Sequence, residues 1–272
     1  GSSNHNVINV NSIAPGMNGD LDGIAGELVV NGEAASDTLF VDDKDNDGAE
    51  PGFLTSSRIY GFGMFGSTAV NGGITYTNVE TLMIRLGVRE DTVNVLSTNA
   101  ATLTTINTGT GTAHNTVNVG SQAPAMDGNV NSIAGKLIVN GESTGSSDTL
   151  NVDDSGDSAD NTGKLTATTL TGMGMGVGSE YSGIEYLNIN MGTGADTFNV
   201  QGTAAVTLTT VNTGTGSAAN VINVGTKAPA TNGNVNAIAG KLVLNGQSTS
   251  DTANVDDTGD ALRNTGFLTS TR

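Results

Sequence analysis

A short unit recurs along this chain and restricts it to stacked architectures. Its fullest form is Gly192-Thr-Gly-Ala-Asp196-Thr-Phe198-Asn-Val200: a tight polar turn, an Asp, then a short strand. Variants are Ser36-Asp37-Thr-Leu-Phe-Val41, Glu90-Asp91-Thr-Val-Asn-Val95, Ser147-Asp148-Thr-Leu-Asn-Val152 and Ser250-Asp251-Thr-Ala-Asn-Val255. Two copies carry Asn in the Asp slot, Asn115-Thr-Val-Asn-Val119 and Asn220-Val-Ile-Asn-Val224. A unit repeated this often reads as one rung of a stack, because a single copy cannot bury its own apolar face.

A longer repeat contains the short one. From Asn9 to Asn118 is 109 residues, and from Asn118 to Asn223 is 105. Gly23-Ile-Ala-Gly-Glu-Leu-Val-Val-Asn31-Gly32 returns as Ser132 to Gly141 and as Ala237 to Gly246. The repeats are placed at 4–112, 113–218 and 219–272, the last incomplete, where Phe267-Leu-Thr-Ser-Thr-Arg272 mirrors Phe53-Leu-Thr-Ser-Ser-Arg58. Gly1-Ser2 has the look of a cloning remnant, no signal peptide is visible, and the chain is expected to be a fragment of something longer.

Val, Leu and Ile alternate over four to six residues in each arm, which is the strand period, and no helical spacing is sustained. Gly after Asn is expected to supply a positive φ at the corners. The expected fold is a right-handed parallel β-helix running continuously over 1–272. About seven arm strands at about 4.8 Å give a rod of roughly 35 Å. The alternative is a string of β-sandwich domains, since about seven strands in about 105 residues fit that size. The nested repeat favours the helix, because stacked coils put the same residue in the same slot. Gly163 to Ser182 and Ser121 to Gly135 are expected to bulge out or to add a third strand. Gly172-Met-Gly-Met-Gly-Val-Gly178 is open between a loop and a close-packed corner.

Composition suits a narrow stack: 39 glycines, 4% aromatic residues and no Trp. The formal charge is −17, from 27 acidic and 10 basic residues, which argues against nucleic acid and anionic membranes as partners. No apolar run is long enough for a transmembrane helix. Cys is absent, which removes disulfides, thiolate metal sites and Cys nucleophiles and suits a secreted bacterial protein.

Acidic clusters follow one arm of each long repeat: Asp42, Asp43, Asp45 and Asp47; Asp153, Asp154, Asp157 and Asp160; Asp256, Asp257 and Asp260. Alternating carboxylates on a tight loop can offer several oxygens to one cation, and Ca²⁺ takes six to eight at about 2.3–2.6 Å. Asp43-Lys-Asp45-Asn-Asp47-Gly48 has the Asp-x-Asp-x-Asp-Gly spacing of calcium loops, but Leu54 stands where an EF-hand has its closing Glu. Two readings therefore stand beside each other, a Ca²⁺ loop and a solvated acidic turn.

Met191-Gly192-Thr-Gly194-Ala-Asp196-Thr-Phe198-Asn199 resembles the RTX nonapeptide, Gly-Gly-x-Gly-x-Asp-x-(large apolar)-x, with Met in the first Gly slot. The longer pattern is similar to repeats of very large bacterial surface or secreted proteins. The resemblance implies parallel β-rolls, calcium held by turn Asp residues, and an extracellular or cell-surface setting. Consecutive nonapeptides are missing, so Asp196 is expected to bond to backbone amides of its own turn instead.

Catalysis finds little footing. The two histidines, His5 and His114, lie in corner segments, and the third repeat has Ala219 where the second has His114. Neither Gly-x-Ser-x-Gly nor His-Glu-x-x-His occurs. Arg85 and Arg89 form the one irregular charged group, with Arg85 expected to pair with Asp91 or Glu90. Thr102-Leu-Thr104-Thr105 and Thr207-Leu-Thr209-Thr210 raise an ice-binding row, but they read better as strand formers facing solvent. The expected function is a structural or adhesive stalk in a giant extracellular bacterial protein. It would contact its own neighbouring repeats, another copy end to end, or a surface glycan or protein receptor. A carbohydrate-binding or carbohydrate-active β-helix is the rival.

Overall fold

The computed structural model describes residues 5–33, 36–109, 112–141, 145 and 147–266, so Phe267–Arg272 lies outside the described residues. Those residues contain twenty-one short strands and no helix. The first repeat supplies β1 (Val7–Val10), β2 (Glu27–Asn31), β3 (Thr38–Asp42), β4 (Pro51–Leu54), β5 (Arg58–Gly61), β6 (Gly73–Thr77), β7 (Thr81–Arg85), β8 (Thr92–Val95) and β9 (Leu103–Asn107). The second supplies β10 (Thr116–Val119), β11 (Leu137–Asn140), β12 (Thr149–Asp153), β13 (Thr162–Leu165), β14 (Thr169–Gly172), β15 (Ser179–Ser182), β16 (Tyr186–Asn190), β17 (Thr197–Val200) and β18 (Leu208–Asn212). The third contributes β19 (Val221–Val224), β20 (Leu242–Asn245) and β21 (Thr252–Val255).

The chain passes back and forth between two sheets. The first is ordered β1-β3-β7-β9-β11-β15-β14-β13-β17-β19-β21, the second β2-β6-β5-β4-β8-β10-β12-β16-β18-β20. Among the described residues, antiparallel pairs occur only inside two meanders, β4-β5-β6 and β13-β14-β15. The protein is therefore all-β, with two mostly parallel sheets of many strands, and this arrangement fits a β-solenoid. Tandem sandwiches do not fit, because sandwich sheets are antiparallel and close on a separate core in each domain. Here each ladder runs unbroken from first to last strand.

Strand alternation builds the core. In β12, Leu150 and Val152 are buried while Thr149 and Asn151 are half-buried on the outer face. Inward residues of both sheets, such as Leu82 and Ile84 of β7 and Val93 and Val95 of β8, join one buried cluster. Equivalent residues lie on equivalent residues: Thr116 pairs with Thr92 and Thr149, Asn118 with Asn94 and Asn151, Val119 with Val95 and Val152. On the outer face the Asn carboxamides form ladders. Asn118 Nδ2 donates to Asn94 Oδ1 at 2.9 Å, Asn151 to Asn118 at 2.8 Å and Asn188 to Asn151 at 2.8 Å. A matching ladder on the other sheet runs Asn254 to Asn223 to Asn199, at 3.0 Å each.

The segment Gly163 to Ser182 is a three-stranded meander, while 121–135 is a loop with a single isolated bridge. The Met-Gly run is a packed corner: Met173 and Met175 are buried, and Gly172, Gly174 and Gly178 have positive φ. The meanders lengthen the rod. Eleven strands in the first sheet span roughly 48 Å, not the 35 Å expected from arm strands alone. Of the glycines that follow Asn, Gly109 and Gly214 have the expected positive φ, whereas Gly141 serves close approach instead: it has no positive φ, and a Cβ there would sit 1.9 Å from the Gly183 carbonyl oxygen.

Counting a meander as one visit, each full repeat visits a sheet seven times. Seven is odd, so β1 lies in the first sheet, β10 in the second, and β19 in the first again. The meander of the first repeat is in the second sheet, and that of the second repeat is in the first.

Candidate functional site: the acidic turns

Each acidic cluster follows a strand and lies against the long loop that opens its repeat. The reason is a shortage of partners for the loop's backbone. In the second repeat, Asp153 Oδ2 accepts from the Gly128 amide at 2.9 Å, and Asp154 Oδ1 from the Val130 amide at 3.1 Å. The third repeat does the same: Gly233 to Asp256 at 2.6 Å and Val235 to Asp257 at 3.1 Å. In the first, Asn18 donates to Asp42 at 2.6 Å and Leu21 to Asp43 at 3.1 Å. The Asp-Asp pair is thus a clamp on a loop some two dozen residues upstream.

The next acid binds carboxamides. Asp157 Oδ2 accepts from Asn131 and Asn161 at 3.0 and 3.1 Å, and Asp260 Oδ2 from Asn236 and Asn264 at 3.0 and 2.8 Å. In the first repeat the slot holds Asn46, which donates to Asp43 and, at 3.5 Å, to Asp22. Asp160 accepts from the Ala195 amide at 2.7 Å. Asp42, Asp43, Asp153, Asp154 and Asp157 are buried, Asp256, Asp257 and Asp260 half-buried, and Asp45, Asp47 and Asp160 exposed. Among the described residues, no three His, Asp or Glu side chains come together in a group that could hold a metal ion.

Burial shifts several of these groups. Burial pushes Asp43 up to about 8, against the pull of the Asn46 carboxamide and the Leu21 amide, with Asp91 and Asp22 adding repulsion. Asp154, its counterpart, is pushed up to about 7 by burial, against the Val130 amide and with Asp157, Asp196 and Asp153 adding. Asp157 goes the other way: burial would raise it, but the Ala159 amide and the Asn131 and Asn161 carboxamides outweigh that and lower it. Asp256 is lowered by the Thr258 hydroxyl and the Gly233 amide, and Asp260 by the Leu262 amide and its two carboxamides.

Arg85 pairs with neither Asp91 nor Glu90 but with Asp42, at 3.6 Å, and lies 5.8 Å from the Phe40 ring centroid. Register explains it, since Asp42 of β3 and Arg85 of β7 are Cα partners. Asp153 and Asp256 meet the same need within their own turn, through Ser155 at 2.7 Å and Thr258 at 2.6 Å. The first repeat has Lys44 there.

A second set of acids sits at the turn Asp of the short unit, and the Asn copies have a physical reason. Asn115 donates from its backbone N to Asp148 Oδ1 at 2.9 Å, and its Oδ1 accepts from the Asp91 amide at 2.9 Å. Asn220 stands between Asp196 and Asp251 in the same way, at 2.9 and 3.1 Å. Asp-Asn-Asp alternation keeps these turn Asp residues off adjacent rungs, while Glu185 and Glu80, with longer side chains, stand one rung from Asp148 and Asp37 and accept from their backbone amides at 2.8 and 2.7 Å. Asp91 accepts from the Gly87 amide of its own turn at 3.0 Å, and Asp196 from the Asn161 amide of a neighbouring rung at 2.8 Å. Burial raises both, Asp91 to about 6.

The partners of the clamps were readable in principle. Asn18-Gly19-Asp20-Leu21, Asp127-Gly128-Asn129-Val130 and Asn232-Gly233-Asn234-Val235 recur at a nearly fixed distance before each Asp-Asp pair. Of the six Thr residues of the suggested ice-binding row, Thr102, Thr104, Thr207 and Thr209 are buried, while Thr105 and Thr210 lie on the outer face, Thr105 also buried there and Thr210 half-buried. Comparison with family models, with curated proteins and with solved structures finds no match to the chain.

Proposed function

We propose that the chain is a structural repeat segment, a stalk or spacer of a very large extracellular bacterial protein, wound as a right-handed parallel β-helix and without enzymatic activity. The observation that carries this reading is the in-register stacking of like on like, Thr on Thr, Asn on Asn and Val on Val, through successive rungs. A chain selected for a single pocket has no need to renew the same rung. A chain selected for length does. Right-handed winding is supported by the handedness of parallel strand crossovers in general. The histidines, His5 and His114, are exposed. No helix among the described residues is long and apolar enough to cross a membrane. The partners proposed are neighbouring repeats of the same protein, or a second copy, pairing on the outer edges of β1 and β21.

Two repeats add nine strands to each sheet, so one added repeat should lengthen the rod by roughly 22 Å. Small-angle scattering on the chain and on a version extended by one repeat reads this directly, and an unchanged long dimension would sink the proposal. Ca²⁺ on the acidic turns is a second reading, favoured by the exposed carboxylates of Asp45, Asp47 and Asp160 beside the clamps. A thermal melt with EDTA and then with millimolar Ca²⁺ separates the two. A rise in Tm with Ca²⁺ makes the turns cation sites, and no shift leaves them as amide clamps.

A further inference from the structure

One surface feature belongs to the first meander and not to the second. On the outer face of the second sheet, Phe53 of β4 and Tyr60 of β5 are Cα partners. Their rings stack 4.9 Å apart and 4° from parallel. On the other side of Tyr60 lies Gly73, where a Cβ would come within 3.1 Å of the Tyr60 Cβ. Position 73 therefore adds no side chain over that flank of the ring. The stacked pair, Pro51, Met64 and Phe65 border an open shelf of about 570 Å³, within the range of small-ligand sites. Phe65 is 75% exposed.

The backbone does not require these rings. The second meander has the same register with Lys164 opposite Thr171, and it has Gly176 where the first has Phe65. The register that pairs Phe53 with Tyr60 carries Lys164 and Thr171 in the second meander, so the aromatic pair is not dictated by the register and points to a role outside folding.

The chemistry of the shelf narrows its occupant. Among the described residues no Lys or Arg lines it, and the chain carries −17, so phosphates and nucleic acid are disfavoured in spite of the stacking surface. Three rings and a Met are a small patch beside the roughly 800 Å² per partner of a stable protein interface. Ring faces carry partial negative charge and attract polarised C–H groups. Around them stand the Tyr60 hydroxyl, the Glu50 carboxylate, which can accept from sugar hydroxyls, and Ser67, whose oxygen accepts from the Gly61 amide at 2.9 Å and whose proton is left to donate. A neutral ring with a C–H face and a hydroxylated edge matches this set. We propose that the shelf binds a neutral glycan, with one pyranose laid on the Phe53–Tyr60 pair and its hydroxyls directed to Tyr60 and Ser67.

The test uses the second repeat as the source of its variant. Phe53→Lys with Tyr60→Thr installs residues that the same register carries in the second meander, and Phe65→Gly removes the third ring from the exposed loop. Retention of the full chain on cellulose and chitin is measured with titration by soluble cello- and chito-oligosaccharides. The wild type is expected to bind at least one of these. The double variant should bind at least about tenfold more weakly, with an unchanged melting curve. Failure of the wild type to bind any of these glycans overturns the proposal, as does equal binding by the variant. Binding of choline in place of glycan would reassign the shelf to a cation. A wild-type dimer seen by light scattering and lost in the variant would reassign it to self-association. Either outcome overturns the glycan.

Discussion

Asn151 donates from Nδ2 to Oδ1 of Asn118 across 2.8 Å, 33 residues away in the chain and one strand away in the sheet. Asn118 in turn donates to Asn94, so removing the middle carboxamide leaves both neighbours short of a partner. Asn118→Ala should cost about 1–2 kcal/mol, the scale of a lost hydrogen bond with partly buried partners left behind. Denaturant unfolding measures it, and hydrogen exchange should locate the loosening in β8, β10 and β12. A cost below a few tenths of a kcal/mol would show the ladder to be decoration.

Thr209 should be better replaced than kept. Its hydroxyl is buried and has no hydrogen-bond partner among the described residues, and the same holds for its equivalent Thr104. In register it lies between Leu187 and Leu242. Thr209→Val keeps the shape and removes an unsatisfied polar group, so stability should rise by about 1 kcal/mol. A fall would mean that the hydroxyl has a partner in solution.

Stability should decrease as pH rises from mildly acid to mildly basic. Asp43 and Asp154 have folded values of about 8 and about 7 against 3.8 as the ordinary value. The folded chain keeps protons that the unfolded chain has released, so their contribution is fully present below about pH 4 and is lost as pH climbs through about 7 to 8. Asp37, Asp251, Asp256 and Asp260 are lowered, so their contribution holds above about pH 4 and is lost below it. Together these place the highest Tm between about pH 4 and 6. Asp43→Asn with Asp154→Asn should flatten the decline between about pH 5 and 8, and a Tm that rises across that window in the wild type would refute the assignment.

Gly214 marks a corner where chemistry leaves no choice. Its φ is +86°, and a Cβ would sit 2.1 Å from the Gly192 carbonyl oxygen. Gly214→Ala should cost about 1–3 kcal/mol or more, since strain and clash act together. A chemical melt within a few tenths of a kcal/mol of wild type would contradict the close approach.

What could be read from the sequence was whatever is local and periodic. The alternation of Val, Leu and Ile gave the strands, and the recurrence of Asn-Val gave their stacking. Non-local matters were harder. The clamp of Asp154 on the Val130 amide shows only in the recurrence of one loop motif before each Asp-Asp pair, and nothing near Arg85 announces Asp42, because that contact depends on which strands become neighbours. Thr104 and Leu103 exchange the faces that hydropathy alone would assign: Thr104 is buried and Leu103 is 37% exposed. Strand phase overrides hydropathy there, because Thr104 must stack in register with the inward Leu82. The shelf is not legible in the sequence, because Phe53 and Tyr60 are seven residues apart and meet across the β4–β5 hairpin.

Each meander puts two more strands into one sheet than the opposite sheet has at that level, an excess of roughly 10 Å on one flank. Left uncorrected, such an excess would slant or bow the rod progressively, as in a strip with one side longer than the other. The odd count of visits sends the next meander to the other flank, and the excess is cancelled. The mechanical period is therefore two repeats, about 43 Å, although the sequence period is one. A long array built this way stays straight on average, and any surface feature confined to alternate repeats faces a single side.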